Sequence, residues 1–327
     1  MKYSIAPLGI QADGKEANGV VALANESAFQ NSFFSKPLTD FAVGYTSQEE
    51  PLQELLDFIA PPVQVPDRLF QYDVQNGKVA FEAAMKGEDE RALMGEFKVI
   101  DWLDSKATGS TISKGLTTFI DKDILEKMPR KLEEAVATLK MMQLRADIIR
   151  AMALLNTLAT NTNKTWSSGS PTPDSDVKMA IKAARTALGV QPNKVLFGGG
   201  AWELRDKAFA SQNTAGAFAG LMRMETDVAR WYRVNRIHIN DLVYEVPGTG
   251  KTPIVTDNKV FVFTGMQMPS TADTSNVKRF WSSVMGGGEW AVFVDETHSA
   301  ELTKVTVYHR NAILSPNAVG VQSLTIS

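Results

Sequence analysis

Apolar residues recur along this chain in two rhythms. From Pro129 to Thr160, Leu132, Ala135, Leu139, Met142, Ala146, Ile149 and Ala153 alternate spacings of three and four, which puts them on one face of a helix. Pro129 suits the first turn, where a missing N–H costs nothing. At ~1.5 Å per residue such a helix is roughly 45 Å long, longer than most globular helices. Leu52, Leu55, Leu56 and Ile59 predict a short helix over Leu52–Ile59, ended by Pro61 and Pro62. After a polar loop from Asn161 to Pro173, Val177, Ile181, Ala184 and Leu188 form the inward face of a third helix. Asp174 or Ser175 is its expected cap, and Gly189 and Pro192 its stop.

The second rhythm is alternation. Leu69–Val74 and Lys78–Glu82 flank Asn76-Gly77, a dipeptide suited to a two-residue hairpin turn. Lys194–Phe197 predicts a short strand, followed by three glycines and by helices at Ala201–Phe209 and about Gly220–Tyr232. Further strands are expected at Arg236–Ile239, Leu242–Val246, Val260–Phe263, Trp290–Asp295, Leu302–Tyr308 and Gly320–Ile326, the last three alternating most cleanly. Residues 1 to about 50 read as an extended arm with a short helix, since Phe29, Phe33 and Phe34 fall one turn apart. Glu88–Asp104 and the polar segment around Thr108, Gly109 and Ser110 read as a long excursion outside the core. No internal repeat is found.

Composition narrows the chemistry. A chain of 327 residues holds about two domains of ordinary size. With 44% apolar and 22% charged residues, disordered and collagen-like classes are excluded. Lys and Arg total 34 against 37 Asp and Glu, a net charge of −3, which does not suit a protein whose main task is neutralising nucleic-acid phosphates. Zero cysteines remove disulfides, thiolate metal sites and a cysteine nucleophile. The three histidines, His238, His298 and His309, would all be consumed by one three-histidine metal site. The first residues show neither signal nor transit peptide pattern, and no run of ~18 apolar residues occurs, so a soluble protein without a membrane span is expected.

The candidate motifs resolve to structural readings. Pro247-Gly248-Thr249-Gly250-Lys251-Thr252 resembles the end of a phosphate-binding loop, but Glu245 stands where its first glycine belongs and a strand is expected to follow, so a β-turn is predicted. Gly198, Gly199 and Gly200 lie between a strand and a helix, yet Glu203 occupies the third position of a dinucleotide fingerprint. No Gly-x-Ser-x-Gly elbow occurs, and His238 and His309 sit in alternating strands as packing residues rather than general bases. The pairs Asp121/Asp123 and Asp174/Asp176 precede helices, where capping is expected rather than cation binding. Most of the thirteen methionines are expected in the core, the alternative being an adaptable binding surface.

Charge distribution says more. Gln48–Asp104 holds 13 acidic and 5 basic residues, net −8, whereas Lys178–Arg236 holds 10 basic and 4 acidic, net +6. Opposed fields on one chain suit steered self-association. The acidic block is also the long excursion, whose few apolar residues need a neighbour.

The order of these elements resembles the major capsid proteins of tailed bacteriophages, the Hong Kong 97 fold that encapsulins share. Residues 1–60 are similar to the family's amino-terminal arm. Residues 61–113 match its extended two-stranded E-loop, centred on about Leu69–Lys106. Residues 114–173 match the spine helix and peripheral domain, entered through Lys114-Gly-Leu-Thr-Thr-Phe-Ile-Asp121. Residues 174–285 match the axial domain, opened by Gln191-Pro-Asn-Lys-Val-Leu-Phe197 and Ala201-Trp-Glu-Leu204. Residues 286–327 match the return strands, with Trp290-Ala-Val-Phe-Val-Asp295 and Val305-Thr-Val-Tyr308.

This resemblance implies an α+β capsid fold, no enzymatic activity and no cofactor or metal. It implies a structural protein whose identical subunits form hexamers and pentamers in an icosahedral shell, each E-loop lying across an adjacent copy. The shell would be a virion capsid assembled in the host cytoplasm, enclosing DNA without sequence-specific binding. Scaffolding, portal and decoration proteins are compatible partners, and no membrane is involved. Glu88, Asp89 and Glu90 are the expected intersubunit contacts, meeting a neighbour's Arg230, Arg233 or Arg236. An encapsulin shell enclosing a cargo enzyme is the first alternative, and a nucleotide-binding enzyme the second.

Overall fold

The computed structural model describes residues 33–45, 51–74, 90–91, 93, 95–96, 105–128, 130–167, 171–212, 220, 223–246, 250–284, 287–297 and 301–327. Phe29, the Asn76-Gly77 turn, Lys78–Glu82, Glu88, Asp89, Pro129, His298 and the Pro247-Gly248-Thr249 turn lie outside these residues. The chain divides into two interleaved units. One combines the chain up to Thr46 with Ile112–Gln143 and Ser282–Asn311; the other combines Ser47–Thr111, Leu144–Trp281 and Ala312–Ser327.

In the first unit, helix α1 (Lys36–Gly44) packs on strand β12 (Trp290–Thr297). β12 pairs antiparallel with β13 (Leu302–Leu314), which also pairs antiparallel with β4 (Ile112–Asp121). Thr303, Val305, Val307, His309 and Asn311 alternate inward along β13, the period-two burial of a strand with one covered face. Phe33 and Phe34 are extended rather than helical: Phe34 bridges Phe293, and its ring meets the Phe293 ring edge-on at 6.0 Å. The short helix follows at α1 because Pro37 sits in its first turn. Asp121 caps the short helix α3 (Lys122–Lys127), accepting from the Asp123 amide at 2.9 Å.

The long helix α4 (Lys131–Leu158) contributes its first half to this unit and its second to the other. Its 28 residues span ~42 Å. The buried face is turned by about one residue from the apolar stripe read in the sequence. Val136, Lys140, Gln143, Asp147, Ala151 and Leu155 are buried, while Met142 and Ala153 are exposed. The apolar rhythm failed because three of the inward residues are polar. Lys140 Nζ donates to Tyr45 O at 2.7 Å, and Gln143 Nε2 donates to Val307 O at 2.8 Å. Satisfied in this way, they cost little to bury.

The second unit is built on a five-stranded mixed sheet ordered β5 (Thr160–Lys164), β14 (Gln322–Ile326), β10 (Lys259–Phe263), β6 (Lys194–Gly198) and β7 (Arg236–Asn240). β5 runs parallel to β14 and β6 parallel to β7; the other pairings are antiparallel. Against one face, Val195, Phe197, Val260 and Val262 pack with Val177, Ile181 and Ala184 of α5 (Pro173–Leu188). Val228 and Tyr232 of α7 (Glu225–Tyr232) join them. Each Val, Ile and Phe among them contributes about 1.5–3 kcal/mol through burial. On the other face, Phe58 of α2 (Leu52–Ile59) meets Phe263 edge-on at 5.7 Å. Thr160–Lys164 is a strand, not the start of the expected loop; its Thr-Asn alternation is tolerated because β5 is an edge, exposed almost throughout.

Leu69–Val74 is a strand, β2, and its described partner is β3 (Ser105–Ser110). The segment around Thr108-Gly109-Ser110 is therefore a strand, paired with Leu69–Val74 along its length. A Cβ on Gly109 would stand 2.7 Å from Phe70 and 2.9 Å from Leu314, so only glycine allows that packing. The stem is anchored where Phe70 and Tyr72 meet Phe280 of β11 (Lys278–Ser282). β1 (Pro62–Val65) lies beside β11.

Candidate interaction surface

Of the six residues expected at subunit contacts, Glu88 and Asp89 lie outside the described residues, and Glu90 is exposed. Arg230 is exposed on α7, 3.8 Å from Asp227 one turn earlier. Arg233 caps α7 in the left-handed region, with φ 59°. Arg236 is committed within its own chain: its guanidinium pairs with Glu54 and lies 5.8 Å from the Phe58 ring. The three arginines therefore differ in what they can offer a partner.

The structure gathers other residues around Trp231, two positions before Arg233. Trp231, about half exposed, carries Lys178 Nζ 3.6 Å and Arg223 Cζ 4.5 Å from its ring centroid. Beneath lies Asp174, which accepts from Arg205 Nε at 2.9 Å and from the Tyr232 hydroxyl at 2.7 Å, with Arg223 at 3.5 Å. Asp174 is thus an ion-pair centre and not the helix cap expected of it; Thr172 precedes α5, with Pro173 in the first turn. Asp176 likewise accepts from Trp166 Nε1 at 2.9 Å and pairs with Lys164. Burial pushes the Tyr232 hydroxyl well above its usual range, with the Asp174 carboxylate adding to the effect. Lys178, Arg223 and Trp231 were missed in the sequence because helices far apart in the chain bring them together.

A second exposed feature lies in the first unit. Phe119, Ile124, Ala135, Leu139, Met142 and Leu302 line an open groove of about 660 Å³ between β4, α3 and α4. Phe119, Ile124 and Met142 are each about half exposed. Met128, Met142, Met179, Met224, Met266 and Met268 are all exposed. This corrects the expectation that most methionines are core and favours the adaptable-surface reading for those described.

The catalytic candidates resolve otherwise. Helix α6 (Gly199–Ala210) starts at the glycine run, but Asp257 Oδ1 accepts from the Gly200 amide at 2.7 Å. A Cβ at Gly199 would fall 1.9 Å from Asp241 Oδ1. Two carboxylates of the chain itself therefore stand where a phosphate would bind. Gly250, with φ 84°, opens a strand, β9 (Gly250–Pro253), that pairs antiparallel with β8 (Val243–Val246). That hairpin has no helix N-terminus to hold a nucleotide. His309 is fully buried against Gln143, and His238 is half buried 5.4 Å from Phe58. Burial, and then Arg236, lower the His238 pKa. Among the described residues, no three potential ligands gather round a metal position, and no helix is long and apolar enough to cross a membrane.

No family model matches the chain, and no curated protein matches it. Solved structures do. A phage-related protein from Bordetella bronchiseptica RB50 superposes with a TM-score of 0.65, covering 90% of this chain and 97% of its own at 12% identity. The SrpI encapsulin of Synechococcus elongatus PCC 7942 gives 0.50 over 86% of this chain and 90% of its own, at 14% identity. The mature capsid of bacteriophage PhiM1 gives 0.50 over 83% and 86%, at 9% identity. The chain has the Hong Kong 97 fold. At these identities the likeness is one of fold.

Proposed function

We propose that this protein is the major subunit of an icosahedral capsid, self-assembling as hexamers and pentamers around a packaged genome. The single observation that carries the reading is the whole-chain likeness to a phage-related protein at a TM-score of 0.65, with a phage mature capsid and an encapsulin among the other neighbours. Two features of the chain support it. Its apolar and methionine side chains are exposed in quantity on a monomer, which marks interaction surfaces. Among the described residues, the Gly200 amide and His309 are engaged in structural contacts, as suits a building block.

In this reading residues 174–285 form the axial domain and residues 61–113 the E-loop, whose acidic Glu88-Asp89-Glu90 meets the basic surface of an adjacent copy. The shell is a virion capsid assembled in the host cytoplasm, with scaffolding, portal and decoration proteins as compatible partners. Sedimentation velocity of the purified protein tests the reading. A discrete particle of many subunits is expected, and a monomer at all concentrations contradicts it. Nucleic acid inside particles recovered from a phage-producing host supports a capsid; an enclosed enzyme would support an encapsulin instead.

A further inference from the structure

We propose that Trp231, flanked by Lys178 and Arg223 and followed two residues on by the capping Arg233, is the receptor for the acidic segment Glu88-Asp89-Glu90 of a second copy. The inference rests on the shell reading and names the receiving surface, where the sequence offered only three arginines.

The local charge is unbalanced. Lys178, Arg223, Arg233 and Arg205 carry four positive charges, against the two carboxylates Asp174 and Asp206. Asp174 is already divided between Arg205, Arg223 and the Tyr232 hydroxyl. Arg205 is fully buried and consumes most of that negative charge. Among the described residues, no carboxylate pairs with Arg233. Lys178 Nζ and Arg223 Cζ lie 3.6 Å and 4.5 Å from the same Trp231 ring centroid, so two like charges are held close together. An external anion relieves that repulsion.

Two more observations fit a receptor. Trp231 is half exposed with cations against its ring, an arrangement that fixes the position of flexible basic side chains before a partner arrives. Arg233 holds a left-handed backbone, φ 59° and ψ 40°, where a non-glycine residue is strained by about 1 kcal/mol. Strain of this kind clusters at functional positions.

Charge complementarity selects the occupant. The same chain carries three consecutive carboxylates at 88–90, within a block of net −8. Every copy therefore supplies one donor and one receptor. Since donor and receptor are different surfaces, the contact is head-to-tail, the kind that forms rings where its rotation closes.

The test is a charge swap on the full-length protein. One variant joins Lys178→Gln with Arg233→Asp, an aspartate being tolerant of left-handed backbone. The other joins Glu88→Lys, Asp89→Lys and Glu90→Lys. Each is expected to lower the assembled fraction in low salt by about tenfold, and the combined protein to regain it. Trp231→Ala, at a half-exposed site, is expected to lower assembly with an unchanged circular dichroism spectrum, which keeps the test valid if a charge variant misfolds. Wild type that assembles while the variants assemble equally well, or while the swap restores nothing, overturns the inference and leaves the shell reading standing. Wild type that never assembles overturns both. Binding of single-stranded DNA by the unassembled protein, lost in Trp231→Ala, also overturns the inference.

Discussion

The side-chain amide of Gln143 joins the long helix to the central strand of its sheet, its Oε1 meeting Nδ1 of His309 at 2.7 Å. Because Nε2 of the same amide donates to Val307 O, Oε1 is the acceptor and His309 carries its proton on Nδ1. Both side chains are almost fully buried, so neither can exchange this partner for water. Gln143→Leu strips an acceptor from the imidazole and a donor from Val307 O. A loss of roughly 2–3 kcal/mol is expected, read as a lower urea midpoint, and an unchanged midpoint contradicts the assignment.

Asp174 and Arg205 make the corresponding prediction in the second unit. Asp174→Asn leaves the fully buried guanidinium of Arg205 without its main counter-charge, at a cost of about 3–5 kcal/mol. Adding Arg205→Met removes the stranded charge. The double variant is expected to unfold at higher urea than the single one; equal midpoints show that the ion pair is not what matters there.

Lys194 predicts a pH dependence. Its Nζ donates to Phe58 O at 2.7 Å, and burial, reinforced by Arg236, lowers its pKa to about 8. The folded state thus releases the proton near pH 8, while the unfolded chain holds it to about 10.4. Between those values the unfolded state binds more protons, so this group makes stability rise with pH. Relative to Lys194→Met, the wild type is expected to gain up to about 3 kcal/mol from pH 8 to pH 10.4. Parallel stability curves for the two proteins contradict it.

The helix face makes a separate prediction about packing. Ile148 is fully buried and Met142 about half exposed. Ile148→Ala is expected to cost about 2–4 kcal/mol, and Met142→Ser less than about 1 kcal/mol, both measured by chemical denaturation. If the sequence periodicity described the buried face, the order would reverse.

That slip shows what the sequence conceals. The long helix, Leu52–Ile59 and the β-rich carboxyl-terminal region were legible because their apolar residues repeat at the right period. The helix orientation was not, since Lys140, Gln143 and Asp147 point inward and Met142 outward, against the rule on which the pattern rests. β4 was not read as a strand, Lys114–Asp121 having been likened only to a family's connecting segment, because an edge strand with Ile112 and Phe119 exposed has no alternation to follow. Thr160–Lys164 was taken for a loop because an exposed edge imposes no apolar requirement. The basic character of the candidate surface was legible in the charge count. Its centre was not: Lys178 lies 53 positions before Trp231, and only the packing of α5 near α7 makes them neighbours.

Cryo-electron microscopy of the purified full-length protein tests the central claim most directly. Closed icosahedral shells, with rings of five and six copies related through their axial domains, are the predicted result. A field of isolated monomers at concentrations where capsid proteins assemble would contradict it.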